Sequence, residues 1–331
     1  MKLNMKLCAS RRKLCTTVQD NTSGSKAIVL CAAHYFHERS EFTSVLTSHF
    51  TSDNSVFHKI KFANNMKKTI ITLLLLLAPC SLRLAVAQNL YIGSFYVTTE
   101  AEEKLYGDGG DKWANRRNVI CDMFSAEMPD VLGLQSMSKE QFGYIASRIK
   151  TYYNYAGDIL YNKTTLALDT CGTVEGLPEE STCSWARLRM GEKAFYVFNI
   201  LFPEDLSVAN TSVTALISAI TEINTDGLTC FVLGNLGINE TKAPYTRMNA
   251  RYPDCYKKAT TISAEFGTRN NFDLEANHGT ERFDFIFASK NVTVRAYGQL
   301  QYGYYTQESD GSYKRRLLST HFPVMAKVTL P

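Results

Sequence analysis

Nine cysteines and six histidines are the side chains of this 331-residue sequence best suited to hold a metal or attack a substrate. Four of the histidines, His34, His37, His49 and His58, lie in residues 1–65 beside Cys8, Cys15 and Cys31. A metal site would need paired ligands at regular, short spacing. These spacings are irregular and point to no metal site. Among the later cysteines, Cys121 and Cys230 sit within apolar patterns and read as core. Cys171 and Cys183 flank a loop of Gly, Pro and Glu and could be joined by a disulfide, which an oxidising compartment would permit. Two Tyr-rich stretches, Tyr152-Tyr153-Asn154-Tyr155 and Tyr302-Gly303-Tyr304-Tyr305, suit either a sugar- or partner-binding surface or ordinary strand packing.

Between these groups lies a segment that reads as an address. Met66-Lys67-Lys68 precedes a run rich in Ile and Leu from Thr69 to Ala78, followed by Ala85-Val86-Ala87. A basic start, an apolar core and a small-x-small site form the layout of a secretory signal peptide. The apolar run is about half the roughly 20 residues that span a bilayer. The expected organisation is therefore a non-native, unstructured upstream extension at residues 1–65, a signal peptide at 66–87 and a domain at 88–331. The expected location is exported: periplasmic, cell-surface or secreted. No transmembrane segment is expected in the mature chain.

Removing the leader changes the charge. Of the 36 Lys+Arg and 32 Asp+Glu, 12 and 4 precede residue 88, leaving 24 basic and 28 acidic side chains. The domain thus carries a formal charge of −4, against +4 for the whole chain. Nucleic-acid binding draws on concentrated basic charge, so nucleic acid is not the expected partner.

The domain has an α/β rhythm. Strands are expected at Leu90–Val97, Val131–Leu134, Trp185–Met190, Ala194–Ile200, Thr229–Leu233, Phe283–Ala288, Val292–Tyr297 and Pro323–Leu330, with a Tyr-rich hairpin over Tyr152–Leu168. Apolar residues at helical spacing predict helices over Asp111–Phe124 and Leu206–Ile223, the latter with Val213, Leu216, Ile217 and Ile220 on one face. Ser138, with Gln141 three residues later, caps another.

The order of short motifs resembles the endonuclease/exonuclease/phosphatase superfamily, the deoxyribonuclease I-like fold, and most closely its exported bacterial branch. The motifs are Trp113-Ala-Asn-Arg116, Pro129-Asp-Val-Leu-Gly-Leu-Gln135, Ser184-Trp-Ala-Arg-Leu188, Phe195-Tyr-Val-Phe-Asn199, Arg282-Phe-Asp-Phe-Ile-Phe287 and Ser319-Thr-His-Phe-Pro-Val324. The resemblance implies a four-layer α/β sandwich, with two packed mixed β-sheets and helices on both outer faces. It also implies metal-assisted phosphoester hydrolysis at one end of the sheets.

Most positions that carry this chemistry in the family are substituted. Phe95 stands at or beside the family's first-strand Asn, and Ser136 stands where Leu-Gln-Glu supplies the metal carboxylate. Leu201 replaces the first histidine, Asn235 the water-positioning Asp, Gly237 the phosphate-binding Asn and Thr320 the Asp of Ser-Asp-His. His321 and its orienting partner Asp284 remain. Glu204-Asp205 and Glu240 lie nearby in sequence but read as capping or loop residues.

Each lost electrostatic or acid–base group costs on the order of 10²–10⁴ in rate. The resemblance thus implies an exported domain that is inactive or strongly impaired, holds no cofactor and serves as a binding or scaffold domain for an unnamed ligand or protein. The alternative is a divergent phosphatase or nuclease with a rebuilt site around His321 and Asp284, using Mg²⁺ or Mn²⁺. A third reading, from export alone, is a glycan-handling accessory protein.

Overall fold

The computed structural model describes residues 88–178, 180–264, 266–274 and 279–331, together with three short strands nearer the N-terminus. The chain divides into two units, Met1–Leu84 and Ala85–Pro331. In the first, to which the sequence assigns no fold, Asn4–Leu7, Leu14–Thr17 and Val29–Cys31 pair antiparallel in chain order. The expected signal peptide and the four early histidines lie outside the described residues.

The second unit holds two large sheets. In the seven-stranded sheet, β1 (Gln88–Tyr96) pairs parallel with β2 (Val131–Gln135). The hairpin β3 (Tyr153–Ala156) and β4 (Ile159–Asn162) extends one side. In the five-stranded sheet, β5 (Ala167–Thr173), β6 (Thr182–Met190) and β7 (Lys193–Leu201) run antiparallel, and β7 pairs parallel with β8 (Thr229–Asn235). The short β9 (Thr261–Ser263) lies at the far edge of the first sheet, while β10 (Asp284–Ala288) closes the second against β8. Next, β11 (Thr293–Gln299) returns to the first sheet, and β12 (Gly303–Gln307) with β13 (Tyr313–Leu317) forms a separate hairpin. Last, β14 (Val324–Leu330) inserts between β11 and β1.

Strand alternation sorts the apolar residues into layers. Leu90, Ile92, Val131, Phe195, Val197, Phe231 and Leu233 meet between the sheets. Phe95, Val97, Leu132 and Leu134 face α2 (Trp113–Glu127) and α3 (Lys139–Ile149), which follow a short α1 (Glu100–Tyr106). On the opposite face, Tyr196, Phe198 and Val232 meet Ala209, Val213, Leu216 and Ile220 of α4 (Leu206–Ile223), beside α5 (Ala243–Arg251). The result is the expected four-layer sandwich. Among the described residues α4 alone is long and apolar enough to cross a bilayer, but its apolar stripe is core.

Local signals set several boundaries. Ser138 and Gln141 form the expected capping box of α3. Asp205 Oδ1 accepts from Val208 N at 2.8 Å and starts α4. Arg116 on α2 is fully buried and donates to the carbonyls of Asp111, Val97, Leu318 and Thr98 and to Glu103 of α1. This one guanidinium satisfies the end of β1, the approach to β14 and α1 together.

The Cys171–Cys183 disulfide is not formed, and both thiols are free. The strand register explains it. Cys171 lies opposite Ala186, while Cys183 O accepts from Val174 N, three residues further on and just past the end of β5. That offset is about 10 Å along a strand, beyond disulfide reach. Cys171 is also exposed whereas Cys183 is buried. The Tyr-rich stretches divide similarly. Tyr153, Tyr302 and Tyr304 bond to Pro129 O, Glu127 and Gly110 O, whereas Tyr152, Tyr155 and Tyr305 are exposed.

Candidate functional site

The parallel pairs β1–β2 and β7–β8 end on the same edge of the sandwich. Register sets Tyr96 beside Gln135 in one sheet, and Leu201, Asn235 and Asp284 side by side in the other. The segment Ser319–His321, which leads into β14, crosses between them. An inter-sheet bond holds this end together: Gln135 Nε2 donates to Asn199 Oδ1 at 2.6 Å, and Asn199 Nδ2 to Leu134 O at 2.8 Å. Gly133 makes this possible, because a Cβ there would collide with the Asn199 amide.

One half of the edge is polar and closed. His321 Nδ1 lies 2.7 Å from Asp284 Oδ2, and Asn235 Nδ2 donates to Asp284 Oδ1 at 3.0 Å. Asn235 Oδ1 in turn accepts from Gly237 N at 2.7 Å. Burial alone would raise the Asp284 carboxyl, but the facing His321, with the Thr268 hydroxyl and Asn235 amide, more than offsets it and holds it below its ordinary value. Thr320 Oγ1 meets Thr98 Oγ1 at 2.7 Å, and Thr98, itself at φ 72°, also contacts Ser319 Oγ at 2.7 Å. His321, Asp284, Asn235 and Thr320 are each at most 5% exposed.

Phe95 is not part of this site. Alternation along β1 sends its ring to the helix-covered face, against Phe124, and brings Tyr96 to the sheet end instead. The Tyr96 ring stacks on His321 at 4.2 Å and 15°. Gly237 has no side chain because none fits. Its φ is +68°, and a Cβ would run into Pro203 O.

The other half carries a residue that sequence reasoning missed. Glu102 of α1 accepts from Ser136 Oγ at 2.6 Å, from Thr99 N and Oγ1 at 2.8 Å each, and from the Tyr96 hydroxyl. Burial would raise its carboxyl, but the bonds from Ser136, Tyr96 and Thr99 lower it overall. Burial, then the Glu102 bond, push the Tyr96 hydroxyl up. The available signal was Thr99-Glu-Ala-Glu102, the spacing of a capping box. The other nearby carboxylates are engaged: Glu204 pairs with Arg269, and Glu240 accepts from Arg282 N.

Beyond Ser136 the edge opens into a cavity of about 550 Å³ lined by Ser136, Leu201, Lys139, Phe142, Asp158 and Thr182 among others. Asp158 sits in the β3–β4 turn, and its Oδ1 is buried without a hydrogen-bond partner. Burial raises its carboxyl, with the Asn199 and Ser184 side chains offsetting part of the rise.

The Mg²⁺ or Mn²⁺ implied by the resemblance does not fit this donor set. Among the described residues, no group of three or more His, Cys, Asp or Glu side chains is placed to hold a metal ion. Glu102 already accepts from four donors, and Asp284 is held by His321 and Asn235.

No protein-family model and no curated protein matches the sequence. Solved structures do match. An endonuclease/exonuclease/phosphatase family protein from Bacteroides thetaiotaomicron is 21% identical with a TM-score of 0.68, over 74% of this chain and 99% of that one. A mannosyl-6-phosphatase from the same organism is 21% identical with a TM-score of 0.66, over 72% and 99%. D. rerio TDP2, complexed with a single-strand DNA product, is 15% identical with a TM-score of 0.55, over 73% and 99%. Residues 88–331 thus have the fold of the endonuclease/exonuclease/phosphatase family.

Proposed function

We propose that this chain is an exported binding or scaffold domain on an endonuclease/exonuclease/phosphatase fold, without the hydrolytic activity that the fold commonly carries. The observation that carries the reading is Tyr96. Its ring covers His321 and its hydroxyl is tied to Glu102, so the protein's own side chains fill the space between the two halves of the edge. Asn235 cannot take a proton from water at neutral pH, and Ser136 offers a hydroxyl where a metal would need a charge. Export follows from the signal-peptide layout at residues 66–87. The net charge of −4 on the domain disfavours nucleic acid as its ligand.

Phosphate release from p-nitrophenyl phosphate and a dinucleotide, with Mg²⁺ or Mn²⁺, tests this reading. The expected rate equals that of the His321→Ala variant and of buffer. The second reading, a divergent phosphoesterase, is favoured by the intact His321–Asp284 pair and by the likeness to a mannosyl-6-phosphatase. A metal-dependent rate that His321→Ala abolishes would establish it and remove the first.

A further inference from the structure

The cavity beside Ser136 has the size and chemistry of a ligand site, and its chemistry differs from that of a phosphate site. At about 550 Å³ it falls in the range of small-molecule pockets, roughly 300–1,000 Å³. A phosphate placed there would find a single cation, Lys139. It would also face Asp158 and, behind Ser136, the ionised Glu102. Charge therefore opposes an anion. A metal ion finds no group of three or more His, Cys, Asp or Glu side chains among the described residues, and Glu102 is already engaged by four donors.

What remains is a largely apolar wall with a few hydroxyls set in it. Leu201 and Phe142 supply the apolar side, and the Phe142 ring is held edge-to-face by Tyr155 at 5.1 Å. Ser136 and Thr182 supply hydroxyls. The Ser136 proton is already given to Glu102, so this oxygen is an acceptor toward a ligand. Asp158 completes the set. Its carboxyl lines the cavity and accepts hydrogen bonds from ligand hydroxyls. A ligand that suits this wall both donates and accepts through hydroxyls and presents an apolar face to an aromatic ring.

We propose that this cavity binds a neutral pyranose, a sugar bearing neither phosphate nor carboxylate, with its C–H face on Phe142 and its hydroxyls on Asp158, Ser136 and Thr182. The assignment rests on the reading of this sheet end as non-catalytic. Leu201, where the resemblance implies a histidine, is then part of the sugar wall.

Calorimetric titration of the full chain with gluco-, manno- and galactopyranose, their methyl glycosides and their 6-phosphates tests the proposal. At least one neutral sugar should bind saturably, with its 6-phosphate at least tenfold weaker. The methyl glycoside binding better than the free sugar would mark a glycan chain end as the source, and the reverse a free monosaccharide. Phe142→Leu, which keeps an apolar side chain but removes the ring, and Asp158→Leu should each weaken binding at least tenfold while an unchanged melting temperature shows that the fold persists. Should either variant unfold, Thr182→Val supplies the same comparison with a several-fold loss expected. Absence of saturable binding by every neutral sugar, tighter binding of a 6-phosphate, or indifference to the folded variants would overturn the assignment. Phosphate release in the same cell would separately overturn the non-catalytic reading, so the two failures are distinguishable.

Discussion

The two halves of the sheet edge treat charge in opposite ways. Around β10 and β14, His321, Asp284 and Asn235 form a buried chain, His321 Nδ1 to Asp284 to the Asn235 amide to Gly237 N. Around β2 and β7, the positions that would need an outside charge hold Ser136 and Leu201, and the edge opens into a largely apolar cavity. Buried ionisable groups persist when the protein itself pairs them and are costly otherwise. On the non-catalytic reading proposed above, the surviving pair is the part of the family pattern whose charges the protein itself pairs.

The largest effect should come from breaking the closed half. Asp284→Ala strands the buried His321 Nδ1 and Asn235 Nδ2 and should cost about 3–5 kcal/mol in urea unfolding. Ser136→Ala removes one of four donors to Glu102 and should cost only about 1 kcal/mol. Equal costs would erase the contrast.

Next comes Gly237. Replacing it with Ala strains a left-handed backbone that also lies against Pro203 O, for about 1–3 kcal/mol by the same assay. The Asn of the family pattern cannot simply be restored there. A loss below about 0.5 kcal/mol would show that the loop moves freely.

Acid should expose the same half through Asp284. Its carboxyl is held below its ordinary value when folded, so the unfolded chain takes up this proton first as the pH falls. The stabilisation is fully present above the ordinary carboxylate value of about 4 and is lost as the pH drops through the lower folded value. Asp284→Asn should flatten this acid limb in unfolding measured from pH 6 to pH 3. An unchanged limb would assign it to other carboxylates, Glu102 first.

The smallest effect is expected far from the edge. Cys171→Ser should change stability by less than about 0.5 kcal/mol, because Cys171 is an exposed free thiol. A loss of about 3 kcal/mol together with one fewer titratable thiol pair in the wild type would restore the disulfide.

The sequence disclosed the layers because long apolar periods and a capping box are local signals. Leu206–Ile223 and the Ser138–Gln141 cap appear as read. It concealed what depends on which face a strand presents and on what meets across space. Phe95 and Tyr96 are neighbours, and only the pairing of β1 with β2 and β14 decides that Tyr96 enters the site. Glu102 lies on a seven-residue helix with no apolar run to announce it. Asp158 reads as an ordinary turn residue until its carboxyl is seen against the cavity. The Cys171–Cys183 pairing failed for the same reason, since register is not visible in a loop's composition.

Mn²⁺ titration calorimetry of the wild-type chain tests the central claim most directly, because family chemistry at this edge depends on a metal. The account predicts no saturable heat up to millimolar Mn²⁺, with the His321→Ala and Asp284→Asn variants indistinguishable from wild type. Saturable binding at sub-millimolar Mn²⁺ that either substitution abolishes would contradict it.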